Sequence, residues 1–140
     1  MGAIRKLFDP GQHSAVASLG LLLLRLAAGG MMAYGHGWQK FEKYGDLIDR
    51  FPDPIGVGAH PSLLLAIGAE LGAAILVALG FATRLAAVPL IVTMVVAAFV
   101  VHADDPFGKK EFALIYLAPF VALLFTGAGR FSVDAVLHRR

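Results

Sequence analysis

Arg25, His36 and Lys40 lie along one apolar run, LLLLRLAAGGMMAYGHGWQKF, residues 21–41, at positions that a helix would align. At about 100° per residue, positions 25, 29, 32, 36 and 40 share one side. The three polar side chains then form a stripe from the middle of a membrane span to one surface. A guanidinium in hydrocarbon is costly, so it needs a partner and marks a candidate site. Gly29 and Gly30 leave room beside it for a head group or water. Arg25 lies ten residues into its run, and Glu70 lies nine into a second run that would cross in the opposite direction. Each would be strongly unfavourable alone, so the expectation is an Arg25–Glu70 pair near the bilayer centre.

That pairing suggests roles. Arg25 would orient a ligand or neutralise its charge, Glu70 would hold Arg25 or relay a proton, and His36 would donate a hydrogen bond. His60 and His102 lie at the outer ends of later spans, with Gln39 and Lys40 near His36. Arg25, His36, Gln39, Lys40, Glu70, His60 and His102 are therefore the ligand-binding candidates, forming a mouth for a polar or quinone-like head group. No metal site is expected, because neither HxxxH nor HxxE spacing occurs within one helix. The absence of cysteine excludes disulfides, thiolate metal sites and dithiol redox chemistry by this chain. No Ser-His-Asp arrangement, phosphate loop or nucleotide fingerprint occurs, so no catalytic residue is assigned. No haem, iron–sulfur or flavin motif is present either, so electrons would come from a partner protein or a quinone.

The elements that must position these groups are apolar. Of 140 residues, 58% are hydrophobic, and the mean hydropathy of +0.73 separates the chain from ordinary soluble domains. Twelve basic residues against ten acidic ones form no dense patch, which argues against a nucleic-acid partner. Apolar runs at 15–38, 61–83, 85–101 and 112–128 read as four spans, the last two short but above the minimum of about 17 residues. Pro61 suits the first turn of its helix, and Pro89 and Pro119 predict kinks. Between the first two spans, Phe41, Tyr44, Leu47, Ile48 and Phe51 recur at spacings of three and four, predicting an amphipathic interfacial helix ended by Pro52 and Pro54. The expected fold is all-α, a single-domain integral membrane four-helix bundle.

Four spans put both termini on one side with Arg5, Lys6, Arg84, Arg130, Arg139 and Arg140. The opposite side holds Lys40, Lys43, Arg50, Lys109 and Lys110 among many acids. The balance places both termini in the cytoplasm. Gly68 and Gly72 form a GxxxG about 160° from Glu70, so a Glu70 that faces inward turns the glycines outward, toward a second copy.

Three motifs in order give a resemblance. LLLLRLAAGGMMAYGHGWQKF, AELGAAILVALGFATR and GAGRFSVD resemble the DoxX family of small four-span bacterial membrane proteins. Ala128 stands where that family usually has proline, which alters only the exit of the fourth helix. The resemblance marks Arg25, His36, Gly37, Lys40, Glu70, Thr83, Arg84, Gly127, Gly129, Arg130, Ser132 and Asp134. It groups Arg84, Arg130, Ser132 and Asp134 as a structural motif on the cytoplasmic face, with an Arg84–Asp134 clamp. It implies residence in a bacterial inner membrane and a link to quinol or thiosulfate:quinone oxidoreduction. The leading expectation is a redox-associated subunit or accessory that takes a quinone, or a small oxidised-sulfur anion, and works with a redox partner protein. The alternative is a non-catalytic membrane scaffold or partner-binding protein in which the ion pair only fixes helix register. Transport has less support, because four spans without a repeat offer little for alternating access.

Overall fold

A computed structural model describes residues 2–139; Arg140, counted among the terminal-side basic residues, lies outside them. The described residues are helical, with no strand. A short α1, Gly2–Leu7, precedes α2, Ala15–Glu42. Ser14 starts α2 by accepting the Ala17 N–H at 3.1 Å. α3 is a single turn, Tyr44–Leu47. Then come α4, Ala59–Leu79; α5, Thr83–Val101; α6, Phe107–Thr126; and α7, Val133–His138, capped by Ser132. α2, α4 and α5 are each long and apolar enough to cross a membrane. α6 is equally long but carries Lys109, Lys110 and Glu111 near its start.

The amphipathic helix expected over residues 41–51 is reduced to a single turn, Tyr44–Leu47, and the chain beyond Pro52 is a loop. α2 absorbs Phe41 and Glu42, one helical turn follows, and Asp53 organises the rest. Its carboxylate accepts from the N–H groups of Val57 (2.9 Å) and Gly58 (2.8 Å) and from the Ser62 hydroxyl (2.9 Å). A side chain that satisfies local backbone in this way fixes the loop between Pro52 and α4.

α5 packs along α6 and α2 along α4. Ala28, Met32, Ala74, Val77, Leu90 and Phe120 lie in the shared core. The outside is also apolar: Leu23 is 59% exposed, Ile115 62% and Phe125 74%. Helices that are apolar on every face suit a lipid surround. Gly68 and Gly72 lie on the exposed face of α4 while Glu70 points inward.

Small residues set the register of α2 against α4. A Cβ on Gly29 would strike the backbone of Ala74 and Ala78, and one on Gly37 would strike Glu70 and Leu71. This antiparallel register puts Glu70 beside the far end of α2 and brings Arg25 to the end of α4. The expected Arg25–Glu70 pair therefore does not form. Arg25 is fully buried, and its guanidinium donates to the carbonyls of Ala128 (3.0 Å), Ala78 (2.9 Å) and Phe131 (2.6 Å). The reason is geometric. α2 runs past Trp38 to Glu42, about 42 Å at 1.5 Å per residue, so counting inward from its apolar end misplaces its depth relative to α4. The Arg25 side chain also leans toward the N-terminus of α2, as helical side chains do.

Around Arg25 the terminal end is tied together. Gly80 ends α4 with φ +71°, and a Cβ there would collide with the Arg25 guanidinium and Ser132. Asp134 accepts from Ala82 N–H (2.7 Å) and Thr83 N–H (3.0 Å), and its own N–H bonds to the Gly80 carbonyl. The anticipated Arg84–Asp134 clamp is absent. Arg84 instead donates to the carbonyls of Asp9 (3.2 Å), Leu124 (3.0 Å) and Phe125 (2.9 Å). Arg130 reaches the His13 carbonyl with its side chain and the Ser18 hydroxyl with its N–H.

Replacing Arg25 by Met strands three carbonyls, a loss of about 3 kcal/mol or more. Thermal unfolding in detergent is expected to show that loss, together with faster tryptic cleavage at Arg130 as the 127–138 segment loosens.

Candidate functional site

The opposite end of the molecule is hollow. A cavity of about 640 Å³ lies between α2, α4, α5 and α6, within the size range of small-molecule sites. Its walls are mainly aliphatic and aromatic. Three π-helical turns contribute to them: Ala33–Trp38 in α2, Gly68–Ala73 in α4 and Ala97–Val101 in α5. Such turns widen a helix locally and are frequent at functional sites.

The cavity's main polar feature is an ion pair. Lys40 Nζ lies 2.6 Å from Glu70 Oε2, with the Glu70 side chain 8% exposed and that of Lys40 23%. The contact has the short distance of an ion pair but not the geometry of a hydrogen bond, and Oε2 has no hydrogen-bond partner. Glu70 stands here because Gly37 lets the two backbones touch. A lysine near the end of a span ordinarily turns its ammonium to water; Lys40 turns inward because a buried carboxylate faces it. One turn earlier, the His36 ring clusters with those of Phe112 (5.3 Å between centroids) and Tyr116 (5.5 Å).

His102 also lines the cavity, bonded through Nδ1 to Asp105 at 2.6 Å. Of the sequence-derived candidates, the structure thus brings His36, Lys40, Glu70 and His102 to one space. Arg25 belongs to the terminal end. Gln39 is exposed and outside the cavity lining. His60 is exposed and bonds to the Tyr44 hydroxyl. Among the described residues no group of three or more His, Asp or Glu could hold a metal.

Sequence reasoning missed Thr93 and the 51–55 segment, both of which line the cavity. Thr93 donates to the Pro89 carbonyl at 2.7 Å, one turn back along α5. Pro52 and Pro54 were legible only as helix breakers, whereas with Phe51 and Ile55 they form part of the wall. Asp53 holds that segment. The Gly58 N–H, the Ser62 hydroxyl and the Val57 N–H depress its carboxyl below the ordinary value. At Asp105, the His102 hydrogen bond does the same.

A family model for DoxX matches residues 20–103, well over half of the chain. The chain belongs to the DoxX family. The match ends before α6, so the closing GAGRFSVD of this DoxX protein takes its support from the contacts it makes around Arg25. A Bacillus subtilis protein named "Putative oxidoreductase CatD" is 32% identical over 86% of this chain and 89% of its own length. An uncharacterised Haemophilus influenzae protein is 29% identical over 73% of this chain and 71% of its own. No solved structure matches. Family membership and the apolar helices together make this a membrane protein.

Breaking the ion pair from its two sides should differ. Lys40→Met leaves the Glu70 carboxylate buried and unpaired, a loss of about 3 kcal/mol. Glu70→Gln frees Lys40 to turn toward water and costs about 1 kcal/mol. The Lys40→Met/Glu70→Met double variant should fall between wild type and Lys40→Met, read by thermal unfolding in detergent.

The Asp53 latch gives a pH dependence. Its folded pKa is depressed, so its contribution is complete above the ordinary aspartate value of about 3.9 and is lost as pH falls through the lower folded value. A fluorophore on Ile55→Cys is expected to gain mobility in wild type only below that range, and at neutral pH in Asp53→Asn.

Proposed function

We propose that this DoxX protein is a redox-associated subunit or accessory of a bacterial inner membrane that holds a quinone head group in the cavity. The single observation that carries this reading is the half-open apolar cavity with a paired ammonium and carboxylate in its wall. A quinone is an apolar ring with two carbonyl oxygens. The Lys40 ammonium and a His36 or His102 N–H are donors that could meet such oxygens. A small oxidised-sulfur anion suits the site less, because Glu70 already neutralises Lys40 and the remaining wall is greasy. The name of the Bacillus subtilis relative favours redox work, and in this reading a chain without cysteine or cofactor motifs takes its electrons from a partner protein or from the quinone itself.

In this reading α6 crosses the bilayer with α2, α4 and α5, giving four spans with both termini cytoplasmic, and the cavity opens toward the outer half of the membrane. A second reading, a non-catalytic scaffold whose buried charges only fix register, finds its support at the terminal end. There Arg25 bonds to backbone alone and has no access to the cavity.

The test is quinone retained by protein purified in mild detergent and measured after solvent extraction. Wild type is expected to retain it. The Lys40→Met/Glu70→Met double variant, which keeps its fold, should bind about tenfold more weakly for each lost hydrogen bond of about 1.4 kcal/mol. Arg25→Lys should retain quinone in whatever fraction stays folded. Wild type that neither carries nor takes up quinone would sink the reading.

A further inference from the structure

The cavity is a slot with unequal sides. Its lining positions on α5 run from Pro89 to Val101, about 18 Å along the helix axis. At the loop end, Phe51, Pro52, Pro54 and Ile55 contribute to the wall, and the Asp53 hydrogen bonds fix their segment. The flank between α4 and α5 is different. Leu65 on α4 is 59% exposed and Val92 on α5 is 55% exposed, yet both line the cavity. Pro89, also in the lining, is exposed as well.

The two helices are joined tightly at Gly80–Ala82, stay packed back through Gly68–Ala73, and part beyond Gly68. The first half of α4, Ala59–Ile67, packs on the far end of α2, with no comparable packing against α5. α5 carries two features that bend helices: Pro89, which removes one rung of the backbone ladder, and the Thr93 hydroxyl bonded back to the Pro89 carbonyl. The gap is rimmed by aliphatic side chains and opens onto the protein's apolar exterior. Water has little to gain there, and a hydrocarbon chain loses nothing.

We infer that this gap is a lateral portal through which the cavity takes its ligand directly from the bilayer, with the ligand's hydrocarbon tail lying across Leu65 and Val92. The ligand class is a single-tailed lipid with a compact polar head. The inference rests on the quinone reading for the head group only; the portal itself follows from the gap. The head enters first and reaches His36 and the Lys40–Glu70 pair, while the tail stays in the membrane. Loop 51–58 shields the site from the aqueous side.

The chain has no cysteine, so pairs of thiols can be placed without background. Leu65→Cys with Val92→Cys spans the portal, and Ile55→Cys with Lys109→Cys spans the loop end. Each pair is bridged by a bis-maleimide containing a reducible disulfide, in protein reconstituted into lipid vesicles, and loading of a long-tailed quinone from those vesicles is followed. The portal bridge should slow loading at least tenfold, the loop bridge should leave it within twofold, and reductant should restore the first. Slowing by the loop bridge alone, by both bridges or by neither overturns the portal.

If unbridged protein takes up no quinone, the quinone reading fails and the portal is judged separately. In a Trp38→Phe chain, tryptophan at Ala66 on the cavity wall should be quenched by lipids brominated on their acyl chains, and the portal bridge should relieve that quenching. Absence of quenching overturns the portal independently of any quinone.

Discussion

A guanidinium buried in an apolar protein must find acceptors, and helix ends have acceptors to spare. The last turn of every helix leaves carbonyls without intrahelical partners, and in hydrocarbon no water can satisfy them. Arg25 meets this need for α4 at Ala78 and for the exit segment at Ala128 and Phe131. Arg84 meets it for α6 at Leu124 and Phe125. Asp134 supplies the converse at the start of α5, where N–H groups are in excess. The terminal end is thus a set of reciprocal caps in which each charged group answers a helix terminus. Loss of Arg25 would release several elements together.

That closed end makes the open one affordable. With α2, α4, α5 and α6 fixed near Arg25, the other halves of the helices can diverge without unravelling the fold. Two of the π-helical turns lie in those outer halves and the third, Gly68–Ala73, at the middle of α4; together with Pro89 they contribute to the cavity wall. Gly37 has the opposite effect, pulling α2 onto α4 where the Lys40–Glu70 pair needs them close. The site therefore combines one tight seam, which positions the ion pair, with one parted seam, which is the proposed portal.

Much of this was legible in the sequence. The helical stripe of residues 25, 29, 32, 36 and 40 does face inward, first as core and then as cavity wall. Glu70 faces inward with Gly68 and Gly72 turned out, as their angular separation requires. What could not be read was which charge meets which. Hydropathy marks where an apolar run ends but not where a helix ends, and α2 continues through Trp38 into charged residues. The register between α2 and α4 is set by contact of small residues, and a sequence holds too many small residues to show which of them touch. The acceptors of Arg25 are backbone carbonyls, which every residue carries and no pattern reveals. Asp53 was hidden for a related reason: an aspartate that builds a loop looks, in sequence, like any solvated loop charge between two prolines.

The two inward-facing cations differ in what they leave free. Arg25 spends its bonds on carbonyls of the main chain, in a place without space for a ligand. Nothing can displace those acceptors without unfolding the segment that carries them. Lys40 and Glu70 bind each other through side chains at the edge of an open cavity, and a side-chain pair can exchange one contact for a ligand's polar atom while the backbone stays in place. An arriving head group with a carbonyl or hydroxyl could share the ammonium, and departure would restore the pair. The charge that first draws attention in the sequence is therefore the one that holds the fold. In the proposed reading, the pair formed by the stripe's last residue with Glu70 is the one that exchanges with the ligand.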